Sequence, residues 1–356
     1  MNQILRIAFL ATDYDNLLGQ HTVKGLSEYL AEKGVENYAI GLRNIFLARR
    51  MTANTTTSII RDLFAKIYFI RILNKPRIFY EKTLLRNVLT NLKINFIIVS
   101  FLDSQNSFSI IDAAKYTNSK LILLDIESPY WTGGEDWANI ARNSNLVLTA
   151  AKYGDLYWKK RGAKNIIFFP LFCDTRYFKP LNLDKRYDIL FLGSYYKARA
   201  KDLDSFLIPL INKYNNKVSL VGSGWEINPN FKKATILPPV NWRLTSYFYN
   251  SAKICLNVHP KGVKELGGLN SRNFEVLGCK SFLLSDYNKG FDGLFENKKH
   301  LVIADSPKEM IELAEYYLDN EEELEKIAQQ GYEEVMRAHT IEHRAKQLLG
   351  IISKLY

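Results

Sequence analysis

Long apolar runs are missing from this chain of 356 residues. No stretch reaches the roughly 18 to 20 consecutive apolar residues that cross a bilayer, which excludes a transmembrane helix. The N-terminal segment MNQILRIAFLATDYD has a short apolar run, but acidic residues stand where the small residues of a cleavage site would follow. It reads as a first buried strand, not as a signal peptide. Cysteine is scarce. Cys173, Cys255 and Cys279 are odd in number, widely spaced and flanked by apolar residues, which excludes a disulfide framework and any metal-ligand spacing. That usage points to a reduced, cytoplasmic protein. Low-complexity segments and short-period repeats are absent as well. The first apolar run leads into FLATDYDNLLGQ, with one glycine and no G-x-G-x-x-G, which makes a nicotinamide oxidoreductase the least fitting enzyme class.

What is present is the composition of a globular protein, 47% hydrophobic and 24% charged. The length suits two cores of roughly 150 to 180 residues each. The formal charge of +11 is unevenly spread. Between Arg43 and Lys93, eleven Lys or Arg face only Asp62 and Glu81, a local balance of +9, with Ile45, Phe46, Leu47, Phe64, Tyr68 and Phe69 interleaved. Three readings of residues 43–93 stay open: solvated basic faces of core helices, attachment to an anionic membrane surface, or docking of an anionic acceptor, nucleic acid included.

Short apolar runs at 4–11, 96–101, 121–125, 146–149 and 166–169 alternate with helical patterns, beginning with Thr22 to Lys33, which Gly34 closes. The second half repeats the design, with strands at 188–192, 217–221, 254–258, 281–285 and 301–303. Helical patterns fall at 201–213, 243–252, 271–279, 307–318 and 321–337. Such alternation predicts α/β architecture with mostly parallel sheets, drawn as two Rossmann-like β/α/β domains facing across a cleft. The connector Pro170 to Pro180 divides the chain into an N-terminal domain, 1–170, and a C-terminal domain, 171–340. A C-terminal helix at 341–356 is expected to pack back on the first.

The segment from Leu269 to Tyr287, LNSRNFEVLGCKSFLLSDY, carries most of the chemical signal. Asn270 and Ser271 are N-cap types, followed by the apolar Phe274, Val276 and Leu277, so a helix starts here. Its free N–H groups and positive dipole end suit a phosphate. Arg272 lies in the first turn, where the dipole disfavours a cation; an anion such as a diphosphate in front of the helix would offset that cost. Glu275, one helical step on, can accept bonds from a ribose diol. Two other strand ends bring glycines to the same sheet edge: ILFLGSYYKAR with Gly193 and Arg199, and LVGSGW with Gly222 and Gly224. Ligands of open α/β sheets bind outside the carboxyl ends of the strands. The Gly-rich loop HPKGVKELGG adds His259 and Lys261, both able to reach a phosphate, with a structural role for His259 the alternative. The 131–137 loop, WTGGEDW, reads either as a sugar-stacking rim of the acceptor site or as a surface turn anchored by its tryptophans.

In order and spacing, residues 165–350 resemble the glycosyltransferase group 1 domain of CgeB-like enzymes. The resemblance is carried by FFPLFCDTRYF, DILFLGSYYKAR, the 269–287 segment and GFDGLFENKKHLVIADSPKEM after it. It implies a GT-B fold, with a nucleotide-sugar donor, UDP- or GDP-linked, on the C-terminal domain and an acceptor of unknown identity on the N-terminal one. It also implies roles. Glu275 would hold the ribose, Arg272 and Asn270 the diphosphate, beside Ser271, Lys261, Arg199 and Gly222, and Gly193 the close backbone approach. His21, just past the first strand, takes the place of an inverting enzyme's base, with Asp125 or Glu127 to orient it. Retaining relatives carry two glutamates bracketing seven residues; here the first would fall at Gly267, and Glu265 stands two positions early, so the stereochemical outcome stays open. Asp13-Tyr14-Asp15 follows the wrong strand for a metal motif and is assigned no metal; positive side chains and a helix dipole suffice for the leaving diphosphate. The expected protein is a metal-independent hexosyltransferase without cofactor, cytoplasmic or peripheral at the inner face of the membrane. A sugar-nucleotide epimerase on the same frame and a nucleic-acid-binding protein are the alternatives.

Overall fold

The central strands of both sheets are apolar on both of their faces, and this decides the architecture. Ile97, Ile98, Ile122 and Leu123 in the first half, and Leu190, Phe191, Cys255 and Leu256 in the second, are all fully or almost fully buried. A strand with no wet face must be covered on both sides, which parallel βαβ units achieve. The computed structural model describes residues 4–11, 21–41, 49–50, 57–58, 77–100, 107–126, 128–129 and 134–355. The chain divides into two units, Met1–Pro170 with Arg344–Tyr356, and Leu171–His343.

The first unit holds an eight-stranded sheet of order β4-β3-β2-β1-β5-β6-β7-β8. Its strands are β1 (Arg6–Ala11), β2 (Glu36–Gly41), β3 (Arg49–Arg50), β4 (Thr57–Ser58), β5 (Phe96–Val99), β6 (Lys120–Asp125), β7 (Leu146–Thr149) and β8 (Ile166–Phe168). All pairs are parallel except the two-residue edge strands β3 and β4, which run antiparallel. The helices are α1 (His21–Glu32), α2 (Arg77–Asn91), α3 (Ser107–Thr117), α4 (Glu135–Asn143) and α5 (Gly154–Lys160). Strand β2 lacks a long apolar run, since ENYAIG mixes polar and apolar residues; it is a strand because Tyr38 and Ile40 join the core. Part of the basic block is neutralised: Lys82 and Arg86 on α2 both pair with Asp112 of α3, at 2.7 and 2.6 Å.

The second unit has a six-stranded, all-parallel sheet of order β11-β10-β9-β12-β13-β14. Its strands are β9 (Tyr187–Leu192), β10 (Val218–Val221), β11 (Thr235–Leu237), β12 (Ala252–Asn257), β13 (Phe282–Asp286) and β14 (Val302–Ala304). The helices are α6 (Lys197–Tyr214), α7 (Thr245–Asn250), α8 (Lys261–Leu266), α9 (Ser271–Gly278), α10 (Pro307–Asp319) and α11 (Glu321–Ala338), and α12 (Ile341–Leu355) begins at the end of this unit. One expectation is corrected here. The Gly-rich segment after His259 is not all loop: Lys261–Leu266 is helical, and Gly267 ends it in a left-handed conformation, φ 66°.

Two α/β units with mostly parallel sheets are present, as expected. The last helix belongs to the first unit from Arg344 onward. Arg344 Nε donates to the Pro170 carbonyl at 2.9 Å, and burial pushes the guanidinium down to about 10. No helix among the described residues is long and apolar enough to cross a membrane.

Candidate functional site

Strand order in the second sheet reverses between β9 and β12, because β10 and β11 lie on one side of β9 while β13 and β14 lie beyond β12. The carboxyl ends of strands flanking such a reversal diverge and leave a crevice. Arg272 bridges this gap. Its Nη1 donates to Asn257 Oδ1 at the end of β12, at 2.6 Å, and its Nη2 donates to the Leu192 carbonyl at the end of β9. The guanidinium lies 4.7 Å from the Phe191 ring centroid and is 9% exposed, and its Nε is buried with no hydrogen-bond partner.

Arg272 stands in the first turn of α9, and the cap of that helix is open. Asn270 is the N-cap residue, yet its side chain makes no capping bond; it donates instead to Asn257 Oδ1 at 2.9 Å. Ser271, half-buried, is the first helical residue. The opening N–H groups of α9 therefore have no side-chain acceptor from the cap, and a partly unpaired guanidinium stands beside them. That combination calls for an anion.

Gly193, just past β9, is made necessary by this arginine: a Cβ there would lie 2.7 Å from Arg272 Nη2 and 3.7 Å from Arg199 Nη1. Trp225 Nε1 donates to the Gly193 carbonyl at 3.0 Å and holds the turn. A Cβ on Gly222, after β10, would run into that same carbonyl, so the two strand-end loops meet at glycines. Arg199, near the start of α6, meets the carbonyls of Ser194 and Val258 at long range, each at 3.5 Å, and its guanidinium lies 5.7 Å from the Tyr196 ring centroid. Burial, and then the neighbouring Arg272, push its guanidinium below the usual arginine range. Two cations approach one glycine, and neither forms an ion pair among the described residues. Lys261 is exposed; its backbone N–H, at the start of α8, donates to Asp202 Oδ2 at 3.1 Å.

Glu275, expected to face the cleft, lies close to Tyr249. It is 5% exposed, and Tyr249 Oη donates to its Oε2 at 3.3 Å. Burial, and then this carboxylate, hold the Tyr249 phenol well above its ordinary value, so it remains a donor. His259 is fully buried: its Nδ1 lies 2.7 Å from Asp286 Oδ1 and its Nε2 2.9 Å from Asn257 Nδ2. The structural alternative for His259 is the one observed. Asn257, Asn273, Lys264 and Asp286 were not singled out in the sequence. Asn257 and Asp286 could have been, since each is a polar residue ending an apolar strand at the carboxyl edge of the sheet.

On the first unit, Asp125 ends β6 fully buried; Thr149 Oγ1 and Trp158 Nε1 both donate to its Oδ2 at 3.0 Å. His21 opens α1. Glu127, the Asp13-Tyr14-Asp15 segment and Trp131 lie outside the described residues, as does most of 43–93. Trp137 packs in the core on the buried face of α4, which removes it from any sugar-binding rim. No group of three His, Cys, Asp or Glu suited to hold a metal occurs among the described residues.

Residues 199–350 match the family model described as glycosyl transferase-like. The spore protein CgeB of Bacillus subtilis (strain 168) is 22% identical over 233 residues, 60% of this chain and 69% of that protein. Solved structures share the whole fold. Sucrose-phosphate synthase from Thermosynechococcus elongatus superposes with a TM-score of 0.68 at 12% identity, covering 99% of both chains. HepE of Anabaena, in complex with UDP-glucose, gives 0.68 at 11% identity, over 98% of this chain and 100% of that one. The fold that these structures share with the chain is that of the GT-B glycosyltransferases. The expected resemblance to CgeB is borne out over a segment of the chain, with residues 199–350 similar to the glycosyl transferase-like family.

Proposed function

We propose that this protein transfers a hexose from a UDP- or GDP-sugar to an acceptor, with the donor on residues 171–340 and the acceptor on residues 1–170. The observation that carries the reading is Arg272: bound to a carbonyl at each side of the β9–β12 reversal, buried, and holding a spare Nε beside the open N-terminus of α9. A diphosphate there would accept from Arg272, Asn270, Ser271 and the α9 backbone, with Arg199 and Lys261 adding positive charge and Gly193 and Gly222 leaving room. Glu275, beside Tyr249, would take the ribose hydroxyls. That HepE is held in complex with UDP-glucose supports a nucleotide-sugar donor for this fold.

The chemistry follows from charge. As the bond between the sugar's anomeric carbon and the phosphate oxygen breaks, negative charge grows on the departing diphosphate, and fixed cations and a helix N-terminus stabilise it without reorganising. These groups suffice without a metal, so a chelator should leave turnover unchanged. In an inverting reaction His21, oriented by Asp125 or Glu127, would take the acceptor proton; in a retaining one the leaving diphosphate serves. The basic 43–93 block favours a membrane-linked or otherwise anionic acceptor, and flotation with anionic but not neutral vesicles is the expected behaviour.

A thermal-shift panel of UDP, GDP, dTDP, CMP and NAD near millimolar concentration tests the donor site. A ligand at about 100 times its Kd adds about 2.7 kcal/mol to the native state. Stabilisation by one nucleoside diphosphate alone is expected, and no shift with any of them would overturn the reading. Incubation with the corresponding nucleotide sugar and no acceptor should give slow hydrolysis at most; conversion to an epimer would reassign the enzyme.

A further inference from the structure

Arg272 can only donate hydrogen bonds, and this one fact fixes the proton on a buried histidine two partners away. The Asn257 atom that meets Arg272 Nη1 at 2.6 Å must be the amide oxygen, and that same oxygen accepts from Asn270. The Asn257 amide nitrogen is therefore turned inward and donates to Asn273 Oδ1 at 3.1 Å; it lies over the imidazole face, 2.9 Å from Nε2 and 3.5 Å from Nδ1 of His259. With its oxygen so engaged, Asn273 turns its own amide nitrogen to the Asn270 Oδ1 and carbonyl, at 3.1 and 3.2 Å, and to His259 Nε2, at 3.1 Å. An amide N–H of Asn273 thus points at Nε2, which must carry a lone pair. On the opposite side of the ring, the Asp286 carboxylate accepts from the His259 backbone N–H, at 3.0 and 3.1 Å, and stands 2.7 Å from Nδ1, which must carry the proton. Lys264 Nζ holds the other carboxylate oxygen at 2.9 Å.

We propose that His259, as a neutral imidazole protonated on Nδ1, is the positioning residue for Arg272, acting through Asn273 and Asn257. The proposal rests on the donor-site reading above, because it is the diphosphate that Arg272 is placed to hold. If Nε2 were protonated, its N–H would face the Asn273 amide NH2. Asn273 would have to turn over, Asn257 would turn with it and present its nitrogen to the guanidinium, donor against donor, and Arg272 would leave the β9–β12 gap. The groups that face the ring are Asp286 of β13, Lys264 of α8, Asn257 of β12, Asn273 of α9 and the Phe291 edge, 5.8 Å away between centroids. Of these only Asp286 and Lys264 are charged, and Arg272 stands behind Asn257.

Two readouts test this. Nitrogen-15 spectra of the five histidines, with His259 assigned by its loss in His259→Gln, should show a protonated Nδ1 and a bare Nε2 in the parent protein. The opposite tautomer would overturn the proposal, and this arm needs neither ligand nor a stable variant. The second readout is calorimetric affinity for the nucleoside diphosphate that stabilises the parent. His259→Asn keeps a donor to Asp286 but loses the acceptor, and should weaken binding on the order of tenfold, as expected for an amide donor left unpaired in a buried site. His259→Gln restores an acceptor near the Nε2 position and should recover most of that loss. Equal affinities for His259→Asn and the parent, or no recovery with Gln, would sink the positioning role. If no diphosphate binds the parent, the donor-site reading fails, and the spectra still decide the tautomer.

Discussion

A Cβ on residue 193 would lie 2.7 Å from Nη2 of Arg272, so the arginine occupies the space that glycine leaves free. The atom in the way is the far end of a flexible side chain, which can move, but the backbone at φ 159° is one that L side chains rarely adopt. Gly193→Ala should therefore lose some stability and also displace the guanidinium, weakening nucleoside-diphosphate binding on the order of tenfold. Gly222→Ala meets the Gly193 carbonyl itself, which is backbone, and should lower stability by about 1–3 kcal/mol. Denaturant titration and calorimetry on both variants separate the two outcomes; a destabilised Gly193→Ala with normal affinity would contradict this account.

Arg272→Lys keeps the charge but cannot span the Leu192 carbonyl and Asn257 with a planar fork. Turnover should fall by about 10²-fold for Arg272→Ala, the scale for losing one stabilising donor, with Lys restoring only part of it. Normal turnover of Arg272→Ala at saturating donor would remove this residue from the mechanism.

Glu275 is buried against Tyr249, so its removal is not silent for the fold. Glu275→Ala leaves the Tyr249 hydroxyl without this acceptor and should cost about 1–3 kcal/mol in urea unfolding. Glu275→Gln retains an acceptor and should unfold nearer the parent, while both variants bind donor more weakly. Unaltered stability of the alanine variant would show that the Tyr249 contact carries no weight.

All three cysteines are free and buried, and burial raises each thiol, Cys255 to about 12. Only the thiolate reacts readily. Native protein at pH 8 should resist alkylation, and three adducts should appear together on denaturation. Rapid labelling of the native protein would argue that the second unit opens locally.

Asp112 titrates below the ordinary carboxylate value of 3.8: burial opposes its ionisation, but hydrogen bonds and charge from Arg86 and Lys82 outweigh that. A depressed folded-state value contributes stability that is present above about 3.8 and is lost as pH falls through the lower, folded value. Asp112→Asn should thus be less stable than the parent at neutral pH, with the gap closing below pH 3.8. A gap that stays constant down to pH 2 would mean that the pairing has no energetic role.

Most of the framework was readable along the chain because its signals are local. Apolar runs such as ILFL and FIIV are short enough for strands and apolar on every face, which already implies covered parallel sheets. The start of α9 could be placed at Asn270 and Ser271, and the cation in its first turn could be singled out, since capping and dipole effects act within one turn. Strand β2 escaped notice because ENYAIG carries no continuous apolar signal, and the turn of helix at Lys261–Leu266 was hidden by flanking glycines.

What the sequence by itself determined is therefore the layout: two α/β halves, and glycines and a helix start gathered at the carboxyl edge of the second. Tertiary structure alone decided how the side chains there are used. Asn270 looks like a cap in sequence, but it is drawn away by Asn257, 13 residues earlier. Glu275, drawn as a cleft residue, also meets Tyr249, 26 residues away. His259 meets Asp286 across 27 residues, because β12 and β13 end side by side. Such pairings depend on strand order, and strand order is set by how the whole sheet packs, which no window of sequence contains.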